Sequence, residues 1–130
     1  MAAKPAIWAK TDTKPTKNSP RHVDLVHLSR YTLGDVALER EVLRLFCTQS
    51  FLCLDQLRAA QSVKDWIDAA HSLKGSARAI GAWGVAEAAE RAEALHEEDL
   101  THSRSQHLAG IDAVLRETHV FIAELLADRR

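Results

Sequence analysis

No proline occurs after residue 20: Pro5, Pro15 and Pro20 are the only three, and all lie near the start. A proline inside a helix removes a backbone hydrogen bond and clashes with the preceding turn, at about 3 kcal/mol. The rest of the chain is free of that break and rich in Ala, Leu, Glu and Arg, which form helices well. With no convincing alternation of apolar and polar residues, the chain is predicted to be all-α.

Apolar spacing defines the helices. Asp35 follows Gly34 and begins a long helical pattern. Leu38, Val42, Leu45 and Leu52 form one stripe, and Leu43, Phe46, Cys53 and Leu57 form a neighbouring one. Two adjacent stripes predict a helix packed against two neighbours. Ser62 offers an N-cap, with Asp65 three residues on. The next helix carries Trp66, Ala70, Leu73, Ala77 and Ile80. Gly81 and Gly84 bracket a predicted turn. A further helix carries Val85, Ala88, Ala92 and Leu95. The polar segment His96 to Arg104 is expected to contain a loop. A last helix carries Ile111, Val114, Leu115, Thr118, Phe121, Ile122, Leu125 and Leu126. Four amphipathic helices with short links imply an antiparallel four-helix bundle. Val23 to Leu28 allows one or two extra helical turns. Residues 1–20 show no periodicity and are expected to be a flexible tail, with Ile7 and Trp8 as apolar residues fit to dock. The bundle domain is expected to span 21–130.

Length and charge narrow the function. A chain of 130 residues is most simply one domain. With 17 Lys plus Arg against 18 Asp plus Glu, the net charge of −1 gives no footprint for nucleic acid or an anionic membrane. No apolar run approaches the ~18 residues of a membrane span. No signal peptide is evident, so the cytoplasm is expected. Cys47 and Cys53 lie about 120° apart around a helix, which argues against a disulfide between them. His96, His102 and His107 do not share a helical face, and no Cys–x–x–Cys or His–Glu–x–x–His motif occurs, so no metal site is expected.

The most informative stretch is AAHSLKGSARAIGAWG, residues 69–84. On a helical wheel His71 lies roughly 140° from the centre of its helix's apolar stripe. Lys64, Lys74, Gly75 and Arg78 all fall within about 60° of it. A neutral imidazole is a nucleophile near neutral pH, since its unperturbed pKa is about 6.5. Neighbouring cations disfavour imidazolium and would neutralise an arriving phosphoryl group. Gly75 costs about 1 kcal/mol relative to Ala in a helix. Its gain would be room for a partner to close over the histidine.

Residues 70–82, AHSLKGSARAIGA, resemble the signature of histidine-containing phosphotransfer (HPt) domains. The match rests on His71, Leu73, Lys74, Gly75, Ser76, Ile80 and Gly81. The resemblance implies that His71 is phosphorylated, with Lys74 as phosphate partner and Gly75 as clearance. It implies receiver domains of hybrid sensor kinases and response regulators as partners. These would bring the Mg²⁺, so the chain itself needs no cofactor, and it is expected to be a monomer. Lys64, Arg78 and Ser76 are supporting residues. A turn centred near Ala82 places Glu93 as far beyond it as His71 lies before it. In the family a polar residue, often Gln, hydrogen-bonds the imidazole from about that place. Here the residue is Glu, and a carboxylate would fix the ring tautomer while adding negative charge. Apolar residues near His71, such as Ile67, and on the helix from 35 to 60 are candidates for docking.

A sensor-kinase dimerisation domain fits less well. Such domains usually carry an acidic residue directly after the histidine, where this chain has Ser72, and a nearby proline. There is also no Gly-rich nucleotide box. The alternative is a helical adaptor that binds receiver or kinase domains without being phosphorylated.

Overall fold

The computed structural model describes residues 22–95 and 97–127, with side chains left out for 97–102. The tail with Ile7 and Trp8 lies outside the described residues. The elements are α1 (Leu25–Thr32), α2 (Val36–Ala59), α3 (Val63–Ile80), α4 (Trp83–Glu93) and α5 (Glu97–Ala127). No strand occurs among the described residues. Each of α2 to α5 packs on the next, and α5 returns to α2, which closes a four-helix bundle. The short α1 packs on α2 and α3.

Local chemistry sets the helix ends. Asp24, Asp35 and Ser62 cap the first turns of α1, α2 and α3, each side chain accepting from a backbone N–H three residues on. Gly81 ends α3 with φ +79°, in the left-handed region where a side chain is strained. A Cβ there would also lie 2.8 Å from that of Asp24. This close approach lets the Asp24 N–H donate to the Gly81 carbonyl at 2.9 Å, while Trp83 Nε1 donates to the Asp24 carboxylate at 3.0 Å. The entry to α1 is thereby tied to the α3–α4 turn.

Two expectations about boundaries need correction. Gly84 lies inside α4 rather than in a turn, and a Cβ on it would come within 3.2 Å of Val114. Its smallness serves the α4–α5 approach. The polar segment 96–104 is also mostly helical, since α5 starts at Glu97. Its polarity reflects Glu97, Glu98 and Asp99, acids that suit the positive end of a helix dipole.

The core gathers Trp66, Ala70, Leu73, Ala77 and Ile80 of α3, Val85, Ala88, Ala89 and Ala92 of α4, and Ile111, Leu115 and Ile122 of α5. On α2 the two predicted stripes are unequally buried. Leu43, Phe46, Cys53 and Leu57 are buried, whereas in the other stripe Leu38, Leu45 and Leu52 are exposed and Val42 is half-buried against the core. The helix is covered on one side by α3 and α5, and the bundle supplies nothing for its outer face. Cys47 and Cys53 are both free thiols. Trp66 is fully buried, and its Nε1 donates to the Ala92 carbonyl at 2.7 Å. This bond holds the last turn of α4 against α3. Arg104 donates to the carbonyls of Leu57 and Arg58, which satisfies the end of α2, and lies over the Trp66 ring.

Candidate functional site

His71 lies midway along α3, on the face its wheel position predicts. Its side chain is 68% exposed, against 22% for Glu93 and 16% for Lys74. Glu93 is the last residue of α4, held beside His71 by the Trp66–Ala92 bond one residue earlier. One carboxylate oxygen lies 2.8 Å from His71 Nδ1, and the other lies 2.6 Å from Lys74 Nζ. The mirror argument about Ala82 thus puts the right pair together.

The contacts settle the tautomer by donor and acceptor rules. The Lys74 bond, then the His71 bond, hold the Glu93 carboxyl below the usual carboxylate range. Glu93 is therefore ionised near neutral pH and can only accept. Nδ1 must donate, so in the neutral ring the lone pair sits on Nε2. Among the described residues Nε2 has no hydrogen-bond partner.

The cations around His71 are not a free positive cluster. Lys64 pairs with Asp68 at 2.7 Å, Lys74 with Glu93, and Arg78 with Glu90 of α4 at 3.6 Å. The wheel of one helix could not show the carboxylates that a second helix brings. Lys74 is the half-hidden member, lying across from α4 rather than standing free. Glu90 was not singled out from the sequence, although it lies one turn before Glu93 on the same side of α4. Ser76 is half-buried beside Gly75.

Gly75 is exposed, and a Cβ built on it meets no atom within 4 Å. Neither packing nor backbone angle inside the protein requires a glycine. Gly110 on α5 is equally open, so openness alone marks no site. What distinguishes Gly75 is its place one turn from the exposed imidazole.

Ile67 is half-buried and packs against the core, so it does not offer the free apolar surface expected of it. Helix α2 carries several of the exposed large apolar side chains. Leu45 and Leu52 are 53% and 52% exposed. Leu52 sits one turn before Gln56, which lines a groove of about 390 Å³ together with Ala59 of α2 and Asp68, Ala69 and Ser72 of α3. Asp68 and Ser72 stand on either side of His71 in the sequence of α3.

Fold and site together define a helical bundle that presents one oriented, accessible histidine. A family model described as Hpt domain matches residues 41–127. The chain belongs to the Hpt domain family, whose members are phosphotransfer intermediates of phosphorelays. No curated protein and no solved structure matches it. Among the described residues no group of three His, Cys, Asp or Glu side chains is placed to hold a metal ion. No helix among them is long and apolar enough to cross a membrane.

Proposed function

We propose that the protein relays a phosphoryl group between receiver-domain aspartates, with His71 as the carrier. The observation that carries this reading is the His71 ring itself: exposed, held at Nδ1 by Glu93, and open at Nε2 beside Gly75. In the forward step the Nε2 lone pair attacks phosphorus of an aspartyl phosphate. The N–P bond forms, the P–O bond breaks, and the receiver's carboxylate leaves. A second receiver's aspartate reverses the step. The receivers bring Mg²⁺ and the groups that stabilise the transferring phosphoryl. The chain has no nucleotide site of its own in this reading and does not phosphorylate itself. Gly75 gives the receiver room to close, and the exposed leucines of α2 form the apolar part of its seat. Lys74 gives one ammonium N–H to Glu93 and keeps further N–H donors for a phosphoryl oxygen. The module, taken as residues 21–130, works as a cytoplasmic monomer.

The test is transfer from phosphorylated receivers to the purified protein. Wild type is expected to take an acid-labile, alkali-stable label, and His71→Gln is expected to fold and take none. Label persisting on His71→Gln refutes the assignment. A wild-type protein that binds receivers yet accepts no label is instead the unphosphorylated adaptor.

A further inference from the structure

We infer that the apolar cleft between α1, the start of α2 and the end of α5 holds the chain's own N-terminal segment, with the Trp8 indole inside it and Ile7 beside it. The cleft and its occupant are independent of the relay reading.

The cleft has a volume of about 330 Å³. Leu25 and Leu28 of α1, Val36 and Leu43 of α2, and Leu125 and Leu126 of α5 give it apolar walls. An apolar side chain that fits there displaces water at a gain. The corner between α1 and α2 carries a second sign of a partner. Gly34 and Val36 line the cleft, and Leu33 adjoins them in the chain. Leu33 ends α1 in the left-handed region, with φ +56°, where a glycine would avoid the strain. It is also 91% exposed, and Val36 is 52% exposed. A strained, exposed leucine is a poor choice for that corner unless it meets another apolar group.

The chain enters the described structure close to this cleft. The His22 ring lies 5.7 Å from that of Phe121, and its Nε2 lies 3.4 Å from Glu117. Leu125 of the cleft is one turn beyond Phe121 on α5, about 5 Å along the axis. Residues 1–21 lie outside the described residues, and their large apolar side chains are Met1, Ile7 and Trp8. Fourteen residues separate Trp8 from His22. Such a linker spans up to about 46 Å when extended and roughly 20 Å as a coil, so Trp8 reaches the cleft without strain. The tether also gives Trp8 a local concentration of order mM, so a contact too weak to join separate molecules suffices within one. An indole is the side chain with most apolar area to place there, about 150–250 Å². Charge agrees. The segment carries Lys4, Lys10, Lys14, Lys17 and Arg21 against Asp12, while Glu39 lines the cleft and Glu117 stands where the chain enters. Arg40 also lines the cleft, but its guanidinium donates to the Leu126 carbonyl.

The test uses the full chain with labelled tryptophan indoles, and Trp8→Phe identifies the Trp8 signal among the three. The Trp8 indole is expected to show nuclear Overhauser contacts to methyl groups of Leu125 or Leu126. Trp8→Ser is expected to lower the melting temperature by roughly 3–6 °C. Val36→Gln, at a half-exposed position that tolerates the change, is expected to return the Trp8 indole to its free-peptide shift. Val36 opens α2, about 30 Å along the helix from Gln56 in the groove near His71, so Trp8→Ser is expected to leave transfer from receivers unchanged. A Trp8 indole at its free-peptide shift in the wild type, with Trp8→Ser melting as wild type does, overturns the inference. Contacts seen only between differently labelled chains give the cleft to a second copy's segment and also overturn it. A wild-type protein that takes no label from any receiver removes the relay reading and leaves the indole contacts to decide this one.

Discussion

At Gly75 the helix gives up stability for something outside itself. A glycine costs about 1 kcal/mol relative to alanine in a helix interior. The cost brings no internal return, since nothing lies within 4 Å of the missing Cβ. Gly75→Gln is therefore expected to melt at the same temperature or slightly higher. It is also expected to slow transfer from a phosphorylated receiver by on the order of tenfold or more, because a long side chain one turn from His71 displaces the approaching phosphorus. Paired thermal melts and transfer kinetics check both halves. Wild-type transfer rates in the variant would remove the steric account. Gly81 shows the opposite case, a glycine needed at home by its φ of +79° and by Asp24.

Helix α2 divides its apolar residues between two tasks. Leu43, Phe46, Cys53 and Leu57 face the core, while Leu38, Leu45 and Leu52, at seven-residue spacing, face solvent. Solvent-facing leucines contribute little to folding, so replacing them is nearly neutral for stability. The double substitution Leu45→Gln and Leu52→Gln is expected to leave the melting temperature within a few degrees of wild type. It is expected to raise the receiver concentration needed for half-maximal transfer about tenfold or more, by removing apolar area from the docking face. A clear drop in melting temperature, or unchanged concentration dependence, would show that these leucines serve the bundle and not a partner. Leu57→Ala is the contrasting control, since that side chain is fully buried.

For the whole molecule, acid sensitivity enters through two histidines away from the site. Burial lowers the pKa of His119, on α5 facing α2, with its ring 2.9 Å from Ser50 Oγ and tilted against the Phe51 ring. Burial, and secondarily the charge of Arg91, lowers that of His107. Both are favoured as neutral rings when folded. The unfolded chain then takes up protons first as the pH falls. The stability they contribute is complete above the ordinary histidine pKa of 6.5 and is lost as pH drops from there toward their folded values. Melting temperature is expected to fall between pH 7 and pH 5, and His119→Gln to flatten part of that slope. A melting temperature that stays level over this range would mean that neither ring is desolvated as described.

Much of this protein was decided by pattern within single helices. The absence of proline after residue 20, the spacing of Trp66, Ala70, Leu73, Ala77 and Ile80, and the Ser62 cap depend on local periodicity and short hydrogen bonds. So does the exposure of His71, which follows from its angle to its own apolar stripe. Glu93 was within reach because a tight turn makes the pairing across a hairpin a matter of counting. Tertiary structure alone decided the rest. Whether the stripe of Leu38, Leu45 and Leu52 is core or surface depends on how many neighbours α2 has, which no property of α2 states. Whether Lys64, Lys74 and Arg78 form a positive field depends on carboxylates, two of them carried by α4. A wheel describes one helix, and charge and burial are sums over every helix that comes near.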